Sequence, residues 1–199
     1  MKLKLIFGAV ISAFVFNTAT AQTDVVVNPI GLLFGSYTVS AEQGLNSSFG
    51  AAIEGSYLNR QLFDIQYTGY SPNAQIKYYY SPKNGNDKWY FGAFFAYSSL
   101  KASDGDDEIE ISNTSLGFVS GYKTVSKGGF VFESAAGFGR SLNASYKFNG
   151  EEDEDFNEIG EYIPVFYSKL AIGYRFGNRS SGGGGSGYGR GSSKMFRLH

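Results

Sequence analysis

A single closed antiparallel β-barrel of about eight strands, crossing a membrane with strands rather than helices, is the fold class that this sequence predicts. Three observations predict it: an export-type N-terminus, a period-two alternation whose second face is small rather than highly charged, and an unusual content of aromatic residues and glycine. The 199 residues include 18 Phe, 15 Tyr, 1 Trp and 27 Gly. Phe and Tyr suit strands, and Tyr and Trp suit a membrane–water interface. Mean hydropathy is only −0.20, which fits strands whose lipid-facing residues alternate with polar ones.

The N-terminus carries Lys2 and Lys4, an apolar run from Leu5 to Phe16, and then Ala19-Thr20-Ala21. That order is the basic region, apolar region and small-residue cleavage site of a secretory signal peptide. The apolar run is too short for a membrane-spanning helix. Cleavage is expected after Ala21, so residues 1–21 form the signal and the mature chain begins at Gln22. No Cys follows the site, which counts against lipid attachment there. Without Lys2 and Lys4, 15 basic residues face 18 acidic ones, a net charge of −3. With no basic patch, a nucleic-acid partner is not expected. The chain has no Cys, so packing or lipid, rather than disulfides, must hold an exported domain together.

The clearest strand is Pro164–Phe176. Phe166, Ser168, Leu170, Ile172, Tyr174 and Phe176 share one face; Val165, Tyr167, Lys169, Ala171, Gly173 and Arg175 share the other. The same alternation runs through 49–57, 73–80, 89–98, 116–123 and 130–139, and one more strand is expected just before these, around Glu42. Each has an apolar, aromatic-ended face and a face of Gly, Ala and Ser with one or two charges. A tight barrel needs such a second face, because its side chains must fill a narrow lumen. Pro82–Asp87 and Ser126–Gly129 read as short turns. The segments 58–69, 101–108 and 149–162 read as longer, outward loops. With both termini periplasmic the strand count must be even, and Val25–Leu33 is the expected first strand, ending in a turn at Phe34-Gly35-Ser36. Asn28-Pro29 and Gly31 interrupt it, so a short plug or lead-in segment is the alternative. From 177 to 199 the composition changes to Gly, Ser and Arg, which reads as a flexible tail.

Glu54, Lys77, Lys123, Glu133, Lys169 and Arg175 fall on predicted inward faces, and Glu42 is a candidate to join them. Their signs nearly balance, and isolated charges in a narrow lumen are costly. An ion-pair network that fills the barrel is the expected arrangement; a selectivity ring for a small pore is the alternative.

On these residues the chain resembles the small outer-membrane β-barrel proteins of Gram-negative bacteria, the group that includes the OmpA membrane domain and OmpX. Leu170, Ile172, Tyr174 and Phe176 resemble the C-terminal signal by which such barrels are recognised for insertion. Here the aromatic residue is followed by 23 more residues, whereas in the family it usually ends the chain. Asn28-Pro-Ile-Gly-Leu-Leu-Phe-Gly35 also resembles the opening of uncharacterised barrels from Bacteroidetes-type bacteria. The resemblance implies an outer-membrane location, contact with lipid and lipopolysaccharide, delivery by the barrel-insertion machinery and a monomeric state. It implies no activity, because the same barrel hosts many functions.

Twelve of the 18 carboxylates lie in two clusters: Asp104, Asp106, Asp107, Glu108 and Glu110, and Glu151, Glu152, Asp153, Glu154, Asp155, Glu158 and Glu161. A solvated, self-repelling outer surface is expected. Binding of Ca²⁺ or Mg²⁺ is the sharper alternative, although Asp104-Gly-Asp-Asp-Glu lacks the full EF-hand spacing. The only His is His199, at the end of the tail, where hydrogen-bond geometry to a nucleophile cannot be held. This counts strongly against a His-dependent hydrolase; a Ser/Lys or paired-carboxylate enzyme stays open but no residues single one out, no cofactor constellation stands out, and no enzyme is expected. Lys77-Tyr-Tyr-Tyr80 and Trp89-Tyr-Phe91 are expected to form an aromatic girdle at the periplasmic interface, with a carbohydrate-stacking platform as the alternative. The expected role is a structural or surface-interaction barrel. The alternatives are a small-solute pore and a soluble periplasmic or secreted barrel that binds a ligand.

Overall fold

The computed structural model describes residues 22–105, 107–152, 160 and 163–177. The expected signal segment 1–21, Asp106, residues 153–159 and 161–162 with most of the second acidic cluster, and the expected tail from 178 onward, with His199, lie outside them. The elements are β1 (Thr23–Val27), α1 (Pro29–Leu33), β2 (Ser36–Gly44), β3 (Phe49–Leu62), β4 (Ile65–Tyr79), β5 (Lys88–Asp104), β6 (Asp107–Val125), β7 (Phe130–Phe148), β8 (Glu151–Glu152) and β9 (Pro164–Phe176).

The chain is all-β, with eight antiparallel strands in a ring. Neighbours run β1-β2-β3-β4-β5-β6-β7-β9, and β9 pairs back onto β1 with Thr23 opposite Phe176 and Val27 opposite Ile172. β8 adds two residues to the tip of β7. Closure pairs β1 on both sides over Thr23–Val27, so no edge is offered around that end of the ring.

The alternation read from the sequence sorts the side chains as expected. Lys77, Tyr79, Tyr90, Phe94, Val119, Lys123, Val131, Glu133 and Ala171 are buried inside; Phe91, Phe95, Leu116, Phe118, Phe138, Phe166 and Phe176 stand exposed outside. The ring therefore turns its apolar residues outward and its charges inward, the reverse of a water-soluble domain.

Two expectations change. The first strand is not Val25–Leu33: β1 spans only five residues, and a single helical turn, α1, follows. Asn28 caps that turn, its Oδ1 accepting from the Gly31 N–H at 3.0 Å, and Pro29 takes the first helical position. Both residues are start signals for a helix and stop signals for a strand. The segments 58–69 and 101–108 are not long loops. β3 and β4 are joined by Phe63 and Asp64 alone, and β5 and β6 by residues 105 and 106. The strands simply run on past the region of alternation. The ring is consequently uneven: β6 and β7 have 19 residues each, β9 has 13 and β1 has five. Between Ser115 and Thr114 on β6 the register with β7 shifts, with Ser141 and Asn143 as the successive partners, so Leu142 forms a bulge at the base of the extension.

Candidate functional site: a charged interior below a polar cavity

The end of the ring that carries residues 22 and 177 is filled. Eight charged side chains from seven strands meet there, four of each sign. Lys77 Nζ lies 2.7 Å from Glu42 Oε2 and 2.6 Å from Glu133 Oε1. Lys123 Nζ lies 2.7 Å from Glu42 Oε2 and 2.9 Å from Asp24 Oδ2. Lys169 Nζ reaches Glu54 Oε2 at 3.0 Å and Glu133 Oε2 at 3.3 Å, and donates to Ser40 Oγ at 3.0 Å. A continuous chain of ion pairs thus crosses the interior from β1 to β9.

Arg175 closes that chain at the terminal end. Its Nε and Nη2 donate to the two oxygens of Asp24, its Nη2 also to the Asn86 carbonyl, and its Nη1 to Gln22 Oε1 and the Asn84 carbonyl. All five N–H groups of the guanidinium are used, which the fixed fork of Arg permits and Lys would not. The turn that supplies two of these acceptors folds beneath the ring. Asp87 Oδ1 accepts from the Lys83 and Asn84 N–H groups, and Asn86 Nδ2 donates to the Phe49 carbonyl.

Three tyrosines complete the network. Tyr79 donates to Glu42 Oε1 and Tyr90 to Glu133 Oε1, each at 2.6 Å. Tyr167 donates to the Glu54 carboxylate at 3.2 Å. Lys77 Nζ also lies 4.7 Å from the Tyr90 ring centre, and Lys123 Nζ lies 5.2 Å from that of Tyr79. These phenols supply hydrogen bonds that carboxylates removed from water require. Local sequence makes room for them. A Cβ on Gly121 would stand 2.6 Å from Tyr90 Cζ, and one on Gly50 would stand 2.7 Å from Glu42 Oε1.

All six side chains singled out in the sequence, together with Glu42, meet in this one network. Asp24 was missed, because the expected first strand began one residue later. Its parity with Val26, which is buried, was the available signal. The expected girdle needs correction: Tyr79 and Tyr90 point inward and are fully buried, while Tyr78, Tyr80, Trp89 and Phe91 remain outside. Strand parity forces this, since consecutive residues cannot share a face. Leu170, Ile172, Tyr174 and Phe176 do share the outer face, and the Tyr174 and Phe176 rings pack at 5.2 Å.

Beyond the network, toward the far end, the interior opens into a cavity of about 320 Å³. Its walls mix hydroxyl and amide groups, among them Thr38, Ser56, Ser71, Asn73 and Ser115, with apolar surface from Val26, Phe94 and Ala96, and Glu54 and Lys169 also line it. Thr38 and Ser56 hydrogen-bond each other at 2.9 Å. Asn73 Oδ1 is buried with no hydrogen-bond partner.

Of the acidic clusters, Lys101 and Glu108 form an exposed pair at 2.6 Å across the β5–β6 hairpin. Among the described residues, no group of three or more His, Cys, Asp or Glu is arranged to hold a metal ion. No helix of the described residues is long and apolar enough to cross a membrane, a test that does not bear on strands. Comparisons with protein-family models, with curated proteins and with solved structures give no match.

Proposed function

We propose that this chain is an outer-membrane β-barrel protein, exported by the signal at residues 1–21, whose lumen is plugged by side chains and whose role is structural or surface-interacting rather than enzymatic. The observation that carries this reading is the outer face. Tyr37, Tyr57 and Tyr70 are cross-strand partners in register, and the Tyr70 and Tyr97 rings pack at 5.8 Å, so tyrosines form one continuous row over β2–β5. A second row holds Phe49, Tyr78, Trp89, Tyr122, Phe130 and Tyr174, with Phe49–Tyr78 and Trp89–Tyr122 ring contacts of 5.2 and 5.3 Å. Val39, Ile53, Ile76, Phe95, Leu116 and Phe118 lie between the rows and are exposed. From Tyr70 to Tyr78 is eight residues, roughly 27 Å along a strand and roughly 20 Å along the barrel axis at a tilt of about 40°. That height suits the apolar band and paired aromatic girdles of outer-membrane barrels.

In this reading lipid and lipopolysaccharide cover the band, the barrel-insertion machinery recognises Leu170, Ile172, Tyr174 and Phe176, and the protein works as a monomer. The acidic residues of the β5–β6 and β7–β8 hairpins face the cell exterior. The pore alternative is disfavoured by the eight-membered network and by the turn that folds beneath it, which together fill the terminal half.

Fractionation of cells expressing the full chain tests the reading. Recovery in the outer-membrane fraction, with a gel mobility that changes on boiling, is the expected result. A soluble periplasmic protein with no such change would overturn it. Step conductances in a planar bilayer would overturn the plugged lumen while leaving the location intact.

A further inference from the structure

Above the upper tyrosine row the two faces of the wall exchange roles. β3 to β7 run on past Tyr57, Tyr70 and Tyr97, and their register sets two rows on the inner face. Leu58, Gly69, Leu100, Ile111 and Tyr146 are successive cross-strand partners, and so are Arg60, Tyr67, Ala102, Ile109 and Phe148. The matching outer row is Asn59, Thr68, Lys101, Glu110 and Lys147. Apolar residues therefore turn inward and polar ones outward, the reverse of the band below, with Arg60 as the one charge in the inner rows. A Cβ on Gly69 would stand 3.4 Å from Leu100 Cδ1, so the Leu100 side chain lies over Gly69 on the same face. The bulge at Leu142 completes the reversal. Without it Asn143, Ser145 and Lys147 would face inward; with it Ala144, Tyr146 and Phe148 do.

These inner rows are not a closed core, which would bury its side chains. Leu62, Leu100 and Ile109 are 40%, 36% and 38% exposed. Gly160 covers part of the β7 side, where a Cβ on it would stand 2.7 Å from Ala144 Cβ. The part on β3 to β6 is an apolar cup. From Leu58 to Leu62 is four residues, roughly 13 Å along the strand, hence a depth of roughly 10 Å at a tilt of about 40°. The Arg60 guanidinium lies 5.8 Å from the Tyr67 ring centre, a contact that occupies its charge at the wall.

The rim supplies charge of one sign. Asp64, Asp104 and Asp107 are exposed at the tips of the hairpins that bound the cup, and Asp104 lies opposite Asp107. Asp64 and the two acidic clusters, which hold twelve of the 18 carboxylates, flank these strand ends in the sequence, against Arg60, Lys101, Arg140 and Lys147. Lys101 is already paired with Glu108. Such a field draws cations and repels anions.

We propose that the cup is a binding site for a small cationic amphiphile. Its short apolar chain lies against Leu62, Leu100, Ile109 and Ile111, and its cationic head stays at the rim among Asp64, Asp104 and Asp107. The site stands above the apolar band, so it does not depend on what covers that band.

The test uses the full chain in phosphatidylcholine nanodiscs, with isoleucine methyl NMR as the readout. Ile65, Ile109 and Ile111 report the cup; Ile53, Ile76 and Ile172 report partition into the lipid around the band. The probes are octyltrimethylammonium, octyl sulfate and tetramethylammonium. The expected result is saturable shifts of the three cup methyls with octyltrimethylammonium, about tenfold weaker binding of octyl sulfate, and no shift with tetramethylammonium. Asp104→Asn combined with Asp107→Asn should weaken binding about fivefold, the scale of two exposed charge pairs. Leu100→Lys, which sets a cation on the cup wall, should abolish it; the aspartate variant, changed only at an exposed turn, serves should Leu100→Lys fail to fold. The absence of saturable cup shifts would overturn the proposal, whether the connection to β9 or a second copy holds the face instead. Equal binding of octyl sulfate, or binding unchanged in the aspartate variant, would overturn the cationic class. Shifts as large at Ile53, Ile76 and Ile172 would mean partition into lipid and overturn the site. Failure of the membrane reading shows separately, as protein that elutes free of the discs, on which the same titration is then read.

Discussion

The two halves of the interior are built from opposite materials. The terminal half holds eight charges in mutual contact, every cation within 3.3 Å of at least one carboxylate. The far half holds hydroxyls around a cavity, with an unpaired amide oxygen. The first arrangement is specified by its own partners. Removing any member leaves the network with one charge in excess, and the ring around it is complete. The second is underfilled and lies beside a stretch where, among the described residues, β9 has no strand partner on the β1 side. Stability and adaptability are thus segregated along one axis, and the difference predicts where substitutions are felt.

The sharpest way to break the contrast is Lys77→Met. It leaves the buried Glu42 and Glu133 with one cation each, Lys123 and Lys169, and one negative charge in excess, and the loss should be about 3–5 kcal/mol, read as a lower urea midpoint of the reconstituted protein. Adding Glu133→Gln should recover part of that loss, because neighbours in one network are not additive. Next in size is an outward change, Phe118→Lys, between the two aromatic rows. In lipid it should cost about 2–4 kcal/mol; an exposed Lys in water would cost almost nothing. Gly121→Ala, in the filled half, should cost about 1–3 kcal/mol by overpacking against Tyr90. Gly55→Ala is its control, since nothing lies within 4 Å of the added Cβ. The smallest effect is expected in the underfilled half: Ser56→Ala removes one hydrogen bond to Thr38 and should change stability by about 1 kcal/mol or less.

How much of this was legible in the sequence followed the same axis. In the membrane reading proposed above, every strand within the apolar band must turn one face to lipid and one to a crowded interior, so period two is enforced. There the alternation located β9 at its observed bounds, Pro164–Phe176, and put Lys77, Lys123, Glu133, Lys169 and Arg175 on the inner face. Past the band, neither face needs to be apolar. Asn59, Arg60, Gln61, Gln66 and Thr68 sit in paired strands yet carry no alternation, which is why that stretch read as a loop. Lys101 to Glu108 misled for the same reason. The stretch of β9 without a strand partner among the described residues was hidden differently. Its signal was the Asn28-Pro29 pair, but one sequence does not reveal that the strand lost there is the one that would have sealed β9 to β2. Nor does it reveal that Arg175 reaches backbone carbonyls of the turn at residues 84 and 86, because those contacts depend on how the turn folds under the ring.

The central claim is that the outer face meets lipid and the inner face does not. The chain has no Cys, so single cysteines can be placed along β5 at positions 91, 93, 94, 95 and 96 without background. Each would carry a spin label in the reconstituted full chain. The account predicts that labels at 91, 93 and 95 relax with oxygen, which concentrates in lipid, and are shielded from a water-soluble nickel chelate, while those at 94 and 96 are shielded from oxygen. Labels at 91, 93 and 95 that relax with the chelate instead would mean that these outward positions meet water, and would contradict it.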